Sequence, residues 1–449
     1  MTGQTTNAVR LVRSMWPATE PARWSLRRLR HLADIRPSNV DKKSVDGEAN
    51  VRLCNYTDVY YNDSITSDMS FMPATAPLAQ VKRFELRPDD VLVTKDSETP
   101  ADIAIAAHVR DELPGVLCGY HLAILRPLPH VDGRFLVYAL QSRPLAAQTE
   151  VAASGVTRFA LSTGALADLT LPVPGRAEQL AIADFLDRET AKIDALVAKK
   201  QRLVGLLQEK RTALISHAVT KGLDPDVPMK DSGVEWLGQI PQAWNILPIR
   251  RLAARVQTGS TPPTEVEAYY RNGELPWFGP GSFGVALQLT APTKWIAASA
   301  AEQGAARVFD AGSTFVVCIG ATLGKVGLVS APSSANQQIT AITWRTGSID
   351  PLYGALQMKS LEPLLPGIAP ASTLPILDQS KIMELPIVVP PLGQQEQIAR
   401  WLCAQTDAID ALLAKIREAT LRLGEYRSSL VTAAVTGQID VRTYRREAS

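Results

Sequence analysis

The chain has 449 residues, 46% of them hydrophobic and 20% charged, with a mean hydropathy of -0.01; this is the profile of a folded protein too long for one ordinary core. No apolar run reaches the roughly 18 residues of a membrane-spanning helix, and Met1 to Glu20 holds Arg10 and Arg13 without the apolar centre of a secretion signal. A formal charge of +2 leaves nucleic acid open as a partner, because a basic stripe can hide inside a balanced total. Four cysteines, Cys54, Cys118, Cys318 and Cys403, lie far apart with no C-x-x-C pair, so reduced thiols and a cytoplasmic location are expected.

Taken in order, an irregular leader over residues 1–20 precedes a first globular domain over 21–168. Its apolar runs are short and β-like: Val91-Leu92-Val93, Ile103-Ala104-Ile105, Val116-Leu117-Cys118 and Leu122-Ala123-Ile124-Leu125, punctuated by Pro88, Pro100, Pro114 and Pro127. A helical segment follows over 169–224, then a turn-rich linker over 225–239. A second globular domain covers 240–384, with strands expected at Phe315 to Ile319, Val326 to Val329 and Ile339 to Ile342. A second helical segment spans 385–440, and a tail covers 441–449. Basic residues cluster at Arg23, Arg27, Arg28 and Arg30 with Lys42 and Lys43, at Arg250, Arg251 and Arg255, and at Arg442, Arg445 and Arg446.

The two helical segments are copies of one another. Shifting the sequence by about 216 positions aligns Leu169 with Leu385 and Asp224 with Asp440, and roughly 22 of about 56 paired residues are identical where chance gives about three or four. Each copy opens on a proline-bearing apolar run that cannot continue a helix. Steps of four and three then mark a heptad seam. In the first copy it reads Ile182, Leu186, Glu189, Ile193, Leu196, Lys200, Leu203, Leu207, Lys210, Leu214. In the second it reads Ile398, Leu402, Gln405, Ile409, Leu412, Ile416, Ala419, Leu423, Tyr426, Leu430. So narrow a stripe on a charged helix needs a like partner. The simplest is the other copy, related by a pseudo-twofold that makes the pair antiparallel. Each helix is expected to run for nearly 40 residues and roughly 55 Å. The globular domains share an entrance, Trp24-x4-Leu29-x2-Leu32-Ala33 against Trp244-x4-Ile249-x2-Leu252-Ala253, and their exits, while their interiors show no sequence relation. The expected class is therefore α+β: two globular α/β domains separated by two long antiparallel coiled-coil helices.

Catalytic motifs are absent by spacing. The loop Gly320-Ala321-Thr322-Leu323-Gly324-Lys325-Val326 is too short for a phosphate loop and has no hydroxyl after the lysine to hold magnesium. Asp89, Asp90, Lys95 and Asp96 do not make a nuclease set, because Val93 stands where the further carboxylate belongs. The five histidines, His31, His108, His121, His130 and His217, lack metal-ligand spacing. Neither a methyl-donor loop with a base-gripping Pro-Pro-aromatic element nor a Ser/His/Asp set can be assembled.

These residues resemble the DNA-specificity subunit of type I restriction-modification systems. The resemblance covers nearly the whole chain. It rests on the duplicated Ile193-Asp194-Ala195-Leu196 and Ile409-Asp410-Ala411-Leu412 segments, on Asp231 to Gly238, and on Val91 to Ser97, which looks like the family's first target-recognition domain. One departure is that Gln394-Gln395 stands in for Glu178-Gln179 while Glu396-Gln397 follows, which leaves the second helix start open. The resemblance implies a non-catalytic chain that reads a bipartite site in double-stranded DNA, one domain per half-site, with the helices setting a gap of about 16 base pairs. It also implies two docked methyltransferase subunits using S-adenosylmethionine and motor-nuclease subunits using ATP and magnesium, with no cofactor on this chain. Base readout falls to polar loop tips: Thr94, Lys95, Asp96, Ser97, Tyr120 and His121 in the first domain, and Thr322, Lys325, Gln337 and Gln338 in the second, glutamine pairing with adenine and lysine with guanine. Two other classes fit the residues less well: a nucleic-acid enzyme with an unrecognised site, and a coiled-coil scaffold with protein-binding ends.

Overall fold

The computed structural model describes residues 24–369 and 375–444; the expected leader and the basic residues Arg23, Arg445 and Arg446 lie outside the described residues. The labelled elements are, in the first half, β1 (Ser25–Arg28), β2 (Ala33–Pro37), β3 (Val91–Thr94), β4 (Ala106–Val109), β5 (Leu122–Pro127), α1 (Gly133–Leu140), β6 (Thr170–Val173) and α2 (Arg176–Lys221). In the second half they are β7 (Asn245–Pro248), β8 (Ala253–Thr258), β9 (Thr314–Val317), β10 (Val326–Leu328), β11 (Ile339–Trp344), α3 (Pro351–Leu361), β12 (Pro386–Val389) and α4 (Leu392–Val435). The chain forms two compact units, one of Met1–Lys200 with Glu418–Ser449 and one of Gln201–Arg417. Each unit therefore holds one globular domain, the proximal part of one long helix and the distal part of the other.

In both units the central sheet has the same order, β2-β5-β3-β4 in the first, with Ser64–Ile65 added at its edge, and β8-β11-β9-β10 in the second. Every pairing common to the two is antiparallel. The kinship that the sequence confines to entrances and exits thus runs through the interior. Val91, Leu92 and Val93 are fully buried, as are Phe315, Val316 and Val317. Such positions need only apolar volume, so identities drift while strand order persists. The expected strand at Ile103 to Ile105 is instead an irregular return: Ala104 has φ +61° and Ile105 N donates to Thr94 Oγ1 at 3.0 Å, so pairing begins only at Ala106.

A common frame closes each domain. β1 pairs with β6 and β7 with β12; Leu29 N donates to Leu169 O at 2.7 Å and Ile249 N to Leu385 O at 3.1 Å. Arg30 bonds Asp168 and, in the corresponding place, Arg250 bonds Glu384. Two arginines of the basic clusters thus close the frame on its surface. At the helix starts, buried Gln179 accepts from Asp132 N at 2.9 Å and donates to Pro174 O; buried Gln395 accepts from Asp350 N at 2.8 Å and donates to Pro390 O. Trp24 Nε1 donates to Glu178 at 3.2 Å and Trp244 Nε1 to Gln394 at 2.8 Å. Gln394 and Gln395 are therefore the counterparts of Glu178 and Gln179, and the second helix entry is not shifted.

The helices run 46 and 44 residues, longer than the nearly 40 expected, because the apolar seam continues past the last heptad read from sequence through Ala218 and Val219 and through Val431, Ala434 and Val435. In the first unit Ile182, Phe185, Leu186 and Ile193 cluster with Leu430, Val431, Ala434 and Val435. In the second, Ile215, Ala218 and Val219 share a cluster with Ile398, Ala399 and Leu402. Both pairings are antiparallel. Asp194 meets Arg427 Nε at 3.2 Å in the first unit, and Arg211 Nε meets Asp410 at 3.4 Å in the second. Asp410 and Arg427 are Asp194 and Arg211 displaced by the repeat, so the two pairs are reciprocal.

The seam itself is corrected in phase. Thr190, Thr406 and Leu413 are buried, whereas Leu196 and Leu412 are each 43% exposed and Leu203, Gln405 and Tyr426 face solvent. Each helix takes two successive steps of four, Ile182-Leu186-Thr190 and Ile398-Leu402-Thr406, which a strict heptad reading does not follow. The threonines fit because Thr190 Oγ1 donates to Leu186 O at 2.7 Å and Thr406 Oγ1 to Leu402 O at 2.8 Å, leaving no donor unpaired.

The end of α2 is buried, so its last carbonyls need partners. Val219 O accepts from Tyr353 Oη at 3.0 Å and Gln357 Nε2 at 2.8 Å, and both donors also reach Val388 O on β12. Gln357→Leu strips amide donors from two buried carbonyls, and we expect it to cost about 1–3 kcal/mol, read as a lower urea midpoint of the second unit's transition; an unchanged midpoint would show that these bonds do not hold the helix end.

Candidate nucleic-acid interface

In the first unit, three strands of the central sheet finish at one edge. Ser38 follows β2, Lys95 follows β3, and Tyr120 and His121 precede β5. Lys95 N donates to His121 O at 3.1 Å and Ser38 N to Leu122 O at 2.9 Å, so the tips are pinned by main chain rather than left as free loops. The side chains then converge. Lys95 Nζ donates to Ser38 O at 3.2 Å and lies 5.5 Å from the centroid of the Tyr120 ring. That ring is 4.0 Å from His121, whose Nδ1 is 2.6 Å from Asp96 Oδ2 and 3.4 Å from Arg158 Nη2. Tyr120 is 47% exposed.

A tyrosine group adjoins this edge. Tyr56 stacks on Tyr60 at 5.4 Å, and Tyr61 meets Tyr60 edge-on at 4.9 Å. Tyr60 Oη donates to Asp102 Oδ2 at 2.6 Å; this bond and the carboxylate charge push the phenol up to about 12. Burial, then Asp102, raises the Tyr56 phenol too, and Asp96, Ser97 and Arg158 also act on it. Exposed aromatic faces beside lysine, arginine and histidine suit stacked bases and phosphates.

The second unit builds the same edge with other residues. Cys318 N donates to Gln338 O at 2.7 Å and Gly259 N to Ile339 O at 2.8 Å, so Gln338 occupies the place of His121 and Cys318 that of Lys95. Gln337 Oε1 accepts from the Thr261 hydroxyl. The hairpin from β9 to β10 turns through Gly320 to Gly324, with Thr322 exposed at its tip and Lys325 half-buried. Nearby in the sequence, Lys294 Nζ lies 5.1 Å from the Tyr270 ring centroid, and the two line a shallow depression with Thr264, Glu267 and Arg271.

Of the residues expected at base-reading tips, the structure thus brings together Lys95, Asp96, Tyr120 and His121 in one unit, and in the other sets Gln337 and Gln338 at the corresponding edge, with Thr322 and Lys325 on the hairpin that leaves it. Thr94 and Ser97 are buried. Thr94 Oγ1 accepts from Ile105 N and Ser97 Oγ from Thr99 N at 3.3 Å, so both fasten the return after β3. Sequence reading missed Tyr56, Tyr60, Tyr61, Arg158, Tyr270 and Lys294. The spacing Tyr56-x3-Tyr60-Tyr61 was a usable signal for one helical face; nothing local marks Arg158. Among the described residues no group of three metal-ligating side chains comes together, and no helix is long and apolar enough to cross a membrane.

A family model described as the type I restriction modification DNA specificity domain matches residues 241–420. Among catalogued relatives, the type I restriction enzyme MjaIX specificity subunit of Methanocaldococcus jannaschii is 28% identical over 177 residues, which is 39% of this chain and 40% of that protein. A second protein of that organism, assigned as the MjaX specificity subunit, is 21% identical over 338 residues, 73% of each chain. The chain is thus similar, through the matched specificity domain and at lower identity over longer stretches, to type I restriction-modification specificity subunits. The fold agrees: a chain solved in work on complex assembly and conformational transition of the type I R-M system superposes with a TM-score of 0.68 at 18% identity, covering 94% of this chain and 100% of that one. Within the family model's bounds lie β7 to β12, Gln337, Gln338 and the first part of α4, while the tyrosine-rich edge of the first unit lies outside them.

Asp102 sets the Tyr60 phenol, so Asp102→Asn should bring its titration down from about 12 toward the ordinary tyrosine value near 10, followed by NMR of ring-labelled tyrosine; a titration left where it was would show that the carboxylate does not control this part of the edge.

Proposed function

We propose that this chain is the non-catalytic, sequence-specific DNA-binding subunit of a type I restriction-modification complex, with each globular domain reading one half of a bipartite site. One observation carries this reading: the same sheet edge is built twice, pinned by equivalent main-chain bonds, yet it presents Lys95, Tyr120 and His121 in one unit and Gln337 and Gln338 in the other. A shared scaffold with exchanged polar tips is what two different half-sites demand, because sequence is read by donors and acceptors on base edges while phosphate contacts only position the protein. The helical segments, where repeat identity is concentrated, govern the gap between half-sites and dock two methyltransferase subunits. S-adenosylmethionine, with ATP and magnesium for motor-nuclease subunits, belongs to those partners, and the assembly works in the cytoplasm. Exposed Arg27 and half-buried Lys325 serve the phosphates, and Tyr56, Tyr60 and Tyr120 offer stacking faces.

Exchanging residues 24–168 for the corresponding domain of a relative, in a host carrying cognate methyltransferase subunits, should change the methylated sequence in one half-site and leave the other intact. Sequencing of modified bases reads the outcome; both halves changing, or neither, would contradict one reader per half-site.

A further inference from the structure

Gln338 sits at the sheet edge of the second unit, and its side chain has a fixed polarity. Gln338 N donates to Asn336 Oδ1 at 3.0 Å. A main-chain N–H can only donate, so the Asn336 atom facing it is the oxygen and its other end is the amide nitrogen. That nitrogen lies 3.0 Å from Gln338 Oε1. Since Asn336 Nδ2 can only donate, the Gln338 atom receiving it is the oxygen; the assignment follows from the network and not from the similarity of the two amide ends. Asn336 is itself anchored, its N donating to Phe278 O at 3.0 Å while its O accepts from Ile339 N at 3.2 Å. The remaining end, Gln338 Nε2, has no hydrogen-bond partner among the described residues and lies against Gly320, where an added Cβ would stand 3.5 Å away.

A glutamine reading adenine through both atoms must offer an acceptor to N6 and a donor to N7. Here Oε1 is turned to Asn336 Nδ2, which takes one of its two lone pairs, and the end left without a partner among the described residues is the donor. What remains is an amide group with two hydrogens, which suits the adjacent O6 and N7 acceptors of guanine and cannot satisfy the donor of cytosine. Gln337 next to it is bonded by the Thr261 hydroxyl. Resting on the half-site reading above, we propose that Gln338 is a specificity-determining residue of the second half-site, that Asn336 is the positioning residue that makes it a donor, and that the base it reads is guanine rather than the adenine its residue type suggests.

The test uses the full chain assembled with its methyltransferase subunits and a pool of duplexes randomised in both half-sites, with bound sequences counted position by position. The unaltered complex should select guanine at one position of one half-site. Asn336→Asp keeps an acceptor for Gln338 N but removes the amide donor; the Gln338 amide then turns to give Nε2 to Asp and presents Oε1, so the selected base at that position alone should change to adenine or cytosine. Gln338→Glu should produce the same change, and Gln338→Ala should lower the preference for guanine about tenfold. A merely structural Asn336 would weaken all positions together, so uniform loss in folded Asn336→Asp, or the unaltered motif surviving in the Gln338 variants, overturns the proposal. An unaltered complex that selects a bipartite motif without guanine in either half-site also overturns it. If it selects no motif at all, the half-site reading fails first and the inference falls with it.

Discussion

Everything else in the molecule depends on the burial of each long helix's beginning against the other's end. A narrow apolar seam on a charged helix is unstable in water, since isolated helices draw most of their stability from packing. Duplication supplies the partner: the proximal part of α2 packs on the distal part of α4 in one unit, and the proximal part of α4 packs on the distal part of α2 in the other. The reciprocal pairs Asp194–Arg427 and Arg211–Asp410 add a register condition. Arg211 is almost fully buried, and a desolvated guanidinium one step out of register would lose its carboxylate, which costs far more than the pair contributes when made.

That arrangement makes each unit discontinuous in sequence, and the ends of the helices are where the globular domains are fastened. Gln179 and Gln395, at the starts of the long helices, accept from the main-chain N–H of Asp132 and Asp350, the caps of α1 and α3, while Tyr353 and Gln357 take the carbonyl at the close of α2. Buried amide and phenol groups in these places are fully hydrogen-bonded, which is the condition under which polar cores specify a single geometry. The sheet edge at Lys95 and at Cys318 is held alike in the two units by its main chain. Its side chains are free to differ, and they do.

Much of this was legible in sequence because the helices repeat almost without gaps: the duplication, the antiparallel partnership and the α+β class follow from spacing, and Tyr120, His121, Gln337 and Gln338, expected at polar loop tips, do fall at the sheet edge. The seam's phase was not, because Thr190 and Thr406 read as polar and are buried only by bonding to their own helix. The common central sheet was hidden because buried strands keep apolar character and not identity, as Leu92 and its counterpart Phe315 illustrate. Thr94 and Ser97 looked like reading residues because a polar run after a strand usually faces water; here the chain folds back over it through Ala104. Nor could spacing show that Asn336 engages the oxygen of Gln338, since the bond depends on a turn two residues long.

The central claim, that each unit is completed by a distant part of the chain, is tested most directly by hydrogen exchange on a chain ended before Glu418. Ile182, Phe185 and Leu186 would then lose Leu430, Val431 and Val435, so amides of residues 176–200 should exchange much faster while those of α3 and the distal part of α2 stay protected. Equal protection of residues 176–200 with and without the last helix segment would contradict the account.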